Sequence, residues 1–418
     1  MVREKRYPNG LRVVVKQMPG LYSVTIGIMV GAGGAMETDA EDGISHFIEH
    51  MQFKGTAKRN AFEISDAFDK IGAQVNAFTG KDSTCYYTKC TTDHVDAAFE
   101  ALSDLFLNAT YPEDEIEREK GVICEEISMN EDTPEDLCLD LLAQATFGKK
   151  NFGRNILGPA SNVKGFTMEA VNRYKEAKYC PENIVLSFAG GIDYDTAIAL
   201  VERYFSALPK GKFQKRELDV SFMGESLVKK KPIEQMHFAI SYPTIPLGHK
   251  LNLAHSIMNN ILGGSMSSRL FQEVREKMGL AYSVYSYSSH YLECGALTVY
   301  AGVNPAKADA AYDAVNSVIE EFRKKGITDE EFLRGREQMK ASTIFGLEST
   351  SSQMLIYGKE MLNLDTLYDI DARFENLQNV TKADVEEALR LTFENTEAKK
   401  AVAVVGNTDT PFPCNERR

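Results

Sequence analysis

Thr167-Met168-Glu169-Ala170-Val171 opens an amphipathic helix leading to the apolar run Ile184–Gly190, and the succession returns at Thr381-Lys382-Ala383-Asp384-Val385 followed by Ala401–Gly406. A third anchor recurs with it, Glu115-Ile116-Glu117-Arg118 against Glu331-Phe332-Leu333-Arg334. The offsets, 214 to 216 residues, are about half of the 418-residue chain. Self-similarity at that period describes one unit of about two hundred residues occurring twice. Working outward, Leu11–Val15 and Ser23–Val30 are β-rich with Asn9-Gly10 as a turn, and helices are predicted near 42–53, 60–71, 93–107 and 112–130. This order predicts an α+β fold of two structurally similar domains, each a mainly antiparallel sheet packed with helices. The predicted boundaries are a first domain over 1–210, a linker over 211–231 that is rich in Lys and Gly, and a second domain over 232–418.

With 47 basic and 60 acidic side chains the net charge is -13, which disfavours nucleic acid as a partner. No apolar run approaches the roughly 20 residues of a membrane span, and the first residues lead into no signal-peptide core. Seven scattered cysteines without a CxxC pair read as reduced thiols, so a cytoplasmic setting is expected. Gly31-Ala32-Gly33-Gly34 lacks the spacing and the βαβ setting of a dinucleotide loop.

The chemistry concentrates in Ile44-Ser45-His46-Phe47-Ile48-Glu49-His50-Met51. At about 100° per residue, His46, Glu49 and His50 share one helix face, while Ile44, Phe47, Ile48 and Met51 form the opposite one. Two imidazoles one turn apart can bind one Zn²⁺, and a carboxylate beside them can take a proton from water; HxxEH is the inverted zinc-peptidase order. A third ligand is needed. In the acidic helix after Tyr111-Pro112, Ile116, Val122, Ile123 and Ile127 mark the predicted buried stripe, with Glu119 and Glu126 inside it. Carboxylates aimed there need a cation or hydrogen-bond donors, so one of the two is the ligand and the other orients a histidine. Shifting His46, His50 and Glu126 by 216 gives Leu262, Met266 and Ser342, so the second copy is not expected to bind zinc.

Four stretches, HFIEHMQFKGT (46–56), IGAQVNAFTGKDSTCYY (71–87), IEREKGVICEE (116–126) and GRNILGP (153–159), resemble the pitrilysin and insulin-degrading-enzyme family of zinc peptidases. The similarity is to its half-length branch, which includes the mitochondrial processing peptidase beta subunit and bacterial homologues. The resemblance implies a zinc metalloendopeptidase with one Zn²⁺ per chain on His46, His50 and Glu126, Glu119 as the orienting carboxylate and Glu49 as general base. It implies that Asn76, Ala77 and Phe78 lie on an edge strand that receives the substrate. It also implies that Arg275 and Tyr282 reach the scissile region from the noncatalytic half, and that Asp136 and Asp140 receive a basic residue near the cut. Gln52, where relatives usually carry an apolar residue, is expected to affect packing. The expected substrate is a peptide or unfolded segment, and the expected assembly a homodimer enclosing a chamber. The rivals are a noncatalytic zinc-containing scaffold or partner subunit, and an active subunit that needs a distinct inactive partner.

Overall fold

The computed structural model describes residues 1–205, 208–211, 213, 218, 220–394 and 400–408. Part of the predicted linker, and Cys414, lie outside the described residues. The strands are β1 Val2–Arg6, β2 Arg12–Gln17, β3 Ser23–Val30, β4 Gln74–Thr79, β5 Thr84–Thr91, β6 Ile184–Gly190, β7 Ser226–Lys230, β8 Met236–Thr244, β9 Ala281–His290, β10 Gly295–Val303 and β11 Ala401–Gly406. The helices are α1 Ile44–Met51, α2 Ala61–Asp69, α3 Val95–Asn108, α4 Glu113–Asp132, α5 Pro134–Phe147, α6 Ala160–Gly165, α7 Met168–Lys178, α8 Tyr194–Phe205, α9 Asn252–Leu262, α10 Ala308–Lys325, α11 Asp329–Leu347, α12 Thr350–Leu364, α13 Ile370–Asn379 and α14 Lys382–Phe393.

The first sheet runs β1-β2-β6-β3-β5-β4 and the second β7-β11-β8-β10-β9. Without β1 the two orders correspond strand for strand. Each contains one parallel pair at the same place, β2 with β6 and β7 with β11, and is otherwise antiparallel. The fold is therefore α+β with two similar domains.

The predicted linker ends inside the second sheet, because Ser226–Lys230 forms β7. Its lysines read as linker charge, yet they suit an edge strand, where charged side chains discourage pairing with other chains.

Among the described residues, one compact unit comprises Met1–Ile127, Asn155–Glu217 and Ile344–Asp369, the other Ser128–Arg154, Leu218–Thr343 and Ile370–Arg418. These units differ from the contiguous halves predicted from sequence, since α5 lies in the second and α12 in the first. The reason is that both faces of each sheet are apolar. All seven residues of β6 are buried. In the first unit one sheet face packs on Phe47, Phe99, Leu102 and Phe205, while Val14, Met29, Cys85 and Val185 on the other meet Met354, Tyr357 and Met361 of α12. In the second, Ala239, Tyr300, Ala401 and Val405 meet Leu137, Cys138, Leu142 and Ala145 of α5. At about 1.5–3 kcal/mol for each large apolar side chain withdrawn from water, that second layer is a main source of each unit's stability.

Candidate metal centre

Helix α1 begins where Gly43 turns the chain at φ 95°, a left-handed conformation that favours glycine; a Cβ there would lie 2.6 Å from the Leu157 carbonyl oxygen. The buried Glu37 carboxylate accepts the Gly43 and Ser45 N–H groups, both at 2.8 Å, and so caps the helix. Burial pushes the Glu37 carboxyl up to about 7, with those backbone hydrogen bonds opposing it. Ser45 and Tyr174 share a hydroxyl hydrogen bond of 2.8 Å that ties the helix to α7. At the other end Gln52 is fully buried and polar in its contacts: its Nε2 donates to the Phe106 carbonyl at 3.3 Å, and its Oε1 accepts from Tyr111 at 2.9 Å and Lys175 at 3.4 Å.

This anchoring places His46, Glu49 and His50 toward α4. Glu126 Oε2 lies 3.6 Å from His46 Nε2 and 3.5 Å from His50 Nε2, and one donor atom from each of the three residues falls within 4.8 Å of the others. Ligand bonds of about 2.0–2.1 Å at a tetrahedral zinc put donors about 3.3 Å apart, close to these spacings. Glu126 Oε2 is buried and has no hydrogen-bond donor among the described residues, which suits an atom whose partner is a cation.

His46 is held down to about 3, first by burial and then by His50, so its imidazole is neutral with a lone pair to offer. Its Nδ1 finds no hydrogen-bond partner among the described residues, and its orientation comes from packing. His50 is held differently, with Nδ1 3.0 Å from Glu119 Oε2, the tautomer that leaves Nε2 as the acceptor. The residues present thus fit a zinc ion. Of the two open candidates, Glu126 faces both imidazoles and Glu119 stands behind His50.

Glu49 is raised above the ordinary carboxylate value by burial, against a hydrogen bond from the Thr79 hydroxyl. Thr79 ends β4, the edge strand of the first sheet, so Asn76, Ala77 and Phe78 lie along a free edge that starts beside the base. On that edge the Ala77 N–H donates to the Asn76 Oδ1 at 2.8 Å.

The predicted buried stripe on α4 is narrower than expected, since Ile127 is half-buried and 40% of the Glu126 side chain is exposed. Ile116, Glu119 and Ile123 are buried, but Val122 is exposed, because it lies about 100° around the helix from Ile123.

Arg275 and Tyr282 belong to the second unit. Arg275 sits on a π-helical turn, Phe271–Lys277, with its guanidinium 4.6 Å from the Phe271 ring centre and 5.9 Å from that of Tyr282. Both are accessible, Tyr282 to 79%. Asp136 is exposed and Asp140 half-buried on α5, also in the second unit, while the neighbouring Glu135 accepts the Tyr285 hydroxyl at 2.6 Å. Sequence reasoning did not find Glu37, Thr79, Lys54 or Lys175; Lys54, four residues after His50, and Thr79, next to Phe78, stood inside stretches already singled out.

Known proteins are similar to this chain in sequence and fold. The family described as insulinase (peptidase family M16) matches residues 12–160, and the peptidase M16 inactive domain matches residues 165–339. The chain belongs to this family. It is 40% identical to the uncharacterized zinc protease YmxG of Bacillus subtilis, over 97% of this chain and 99% of that protein. It is 35% identical to an uncharacterized zinc protease of Streptomyces coelicolor, over 93% of this chain and 86% of that protein. A crystal structure of a peptidase M16 inactive domain from Pseudomonas fluorescens superposes with a TM-score of 0.91 at 20% identity, covering 99% of this chain and 100% of that one. A protease from Helicobacter pylori gives 0.89 at 20%, covering 97% and 99%. At that identity the two structures establish a shared fold. Among the described residues no helix is long and apolar enough to cross a membrane.

Proposed function

We propose that this protein is a zinc-dependent metalloendopeptidase acting on peptides or unfolded polypeptide segments. The observation that carries the reading is the convergence of His46, His50 and Glu126 with Glu49 on the same helix; relatives named zinc proteases support it. A bound Zn²⁺ would polarise the scissile carbonyl and make water a nucleophile near neutral pH. Glu49 takes the proton of the attacking water and returns it to the leaving amine, and its burial raises its basicity for that work. The Thr79 hydroxyl holds the carboxylate in place. The substrate adds to β4 as a further strand along Asn76, Ala77 and Phe78, displacing Asn76 Oδ1 from the Ala77 N–H. Main-chain pairing of this kind tolerates many sequences.

Arg275 holds a substrate carbonyl or carboxylate oxygen and Tyr282 donates to the oxyanion, consistent with their accessibility. Asp136 and Asp140 favour a basic residue near the cut. The working assembly is a cytoplasmic homodimer in which each copy lends Arg275 and Tyr282 to the other's zinc site.

Glu49→Gln is expected to retain stoichiometric zinc by metal analysis while cleavage of a quenched peptide falls by about 10²–10⁴. Undiminished cleavage would remove Glu49 from the mechanism. Stoichiometric zinc without cleavage of any peptide in a broad library would favour the scaffold. Mixing inactive Glu49→Gln chains with inactive Tyr282→Phe chains tests the assembly: recovered activity supports shared sites, and none after demonstrated subunit exchange sinks them.

A further inference from the structure

Behind His50 the carboxylate of Glu119 has two partners, one on each oxygen. Its Oε2 meets His50 Nδ1 at 3.0 Å and its Oε1 meets Lys54 Nζ at 2.6 Å. The Glu119 side chain is only 3% exposed, whereas that of Lys54 is 27% exposed and that of His50 23%. Lys54 stands in the turn after α1, four residues beyond His50, and its ammonium reaches across to α4. We propose that Lys54 is a positioning residue of the metal centre, acting through Glu119 to fix the ring orientation and tautomer of His50. The inference rests on the reading of His46, His50 and Glu126 as zinc ligands.

A buried carboxylate with a neutral imidazole N–H as its only partner is poorly compensated, and rotation about its last bond is unopposed. The ammonium supplies the missing charge and pins one oxygen, so the other stays aimed at His50 Nδ1. The turn carrying Lys54 is itself held: Thr56 Oγ1 donates to the buried Asp104 at 2.8 Å, and Arg59 Nη1 pairs with it at 2.6 Å. The ammonium therefore approaches Glu119 from a fixed base rather than from a free loop. The second unit supplies a contrast. There the position corresponding to Glu119 at an offset of 216 is Gly335, and the residues after α9 are Gly263-Gly264-Ser265, with no cation. The seam that has Ile257 and Ile261 in place of the two imidazoles carries neither the carboxylate nor the ammonium.

The test compares wild type with Lys54→Met, Lys54→Arg, Glu119→Gln and the Lys54→Met/Glu119→Gln double variant in the full chain. Zinc affinity is read by competition with a chromogenic chelator, and the His50 tautomer by ¹⁵N-histidine NMR of the metal-free proteins. Lys54→Met is expected to weaken zinc binding about 10–100-fold, and Lys54→Arg to restore most of it. The double variant is expected to bind no more weakly than Glu119→Gln alone. The His50 signals should show the Nδ1–H tautomer in wild type and a tautomer mixture in Lys54→Met. If Lys54→Met fails to fold, Lys54→Gln takes its place in every comparison. Wild-type affinity together with an unchanged His50 tautomer in the uncharged variant overturns the proposal, as does an additive loss in the double variant. A wild type that binds no zinc instead overturns the ligand reading, and the metal-free tautomer measurement then decides the role of Lys54 by itself.

Discussion

Helices α1 and α4 in the first unit and α9 and α11 in the second occupy corresponding places in a duplicated fold, yet the seams between them are opposite in character. In the first, His46 and His50, one turn apart, look onto Glu119 and Glu126. In the second, Ile257 and Ile261, also one turn apart, pack against Gly335, where a Cβ would come within 3.0 Å of Ile257 Cγ2 and 3.4 Å of Ile261 Cγ1. An apolar seam needs only volume to match. A polar seam needs its buried groups answered, and the first unit answers several of them: Lys54 on Glu119, Thr79 on Glu49, and Glu37 on the start of α1.

Making the first seam resemble the second is the most severe test. His50→Ile removes one of three ligands with a side chain that α9 already uses, and zinc affinity should fall more than about a thousandfold, ~4 kcal/mol, with the fold retained. Chelator competition and far-UV circular dichroism read both parts; retained affinity would break the comparison. The reverse change, Gly335→Glu, drives a carboxylate into the packed Ile257/Ile261 contact without a cation to meet it. It should cost about 3 kcal/mol in denaturant unfolding of the second unit, and an unchanged midpoint would mean that the seam is looser than its distances indicate.

A smaller test concerns Lys175, whose counterpart at an offset of 214 is the buried Leu389. The Lys175 ammonium donates to the Phe106 carbonyl at 2.9 Å, and burial pushes it down to about 7. A base whose folded value is depressed binds fewer protons folded than unfolded between that value and its ordinary one. Stability should therefore rise with pH above about 7, and the penalty is fullest below it. Lys175→Leu should abolish a rise on the order of 1–2 kcal/mol between pH 7 and 9. It leaves Gln52 Oε1 with Tyr111 and the Phe106 carbonyl with Gln52 Nε2, so no acceptor is orphaned. An identical pH slope in both proteins would show that the lysine is solvated.

The duplication and the pairing of His46 with His50 were legible because both rest on local pattern: a helix opening repeated at half the chain length, and imidazoles spaced one turn apart. What eluded the pattern depends on contacts distant in sequence. A constant shift of 216 pairs His50 with Met266, which is 75% exposed, whereas the residues facing Gly335 are Ile257 and Ile261; α9 has eleven residues to the eight of α1, so no single offset serves both helices. β7 read as a linker because its partner β11 lies some 175 residues away. Glu37, Thr79 and Lys54 are ordinary residues in composition, and only the buried groups that they meet give them a part in the centre.

The exchange of α5 and α12 has a consequence for how the chain is made. On a ribosome the strands of the first sheet have all emerged once residue 190 is out, but the helix that covers one face arrives only with residues 350–364. For the time needed to synthesise the intervening segment, roughly ten seconds or more at 5–20 residues per second, Val14, Met29 and Val185 face water on a half-covered sheet. In a nascent chain arrested at residue 340 a fluorescent probe at Met29 should report water, while in the completed chain it should report an apolar surrounding. Holdase chaperones have their clearest target in that interval.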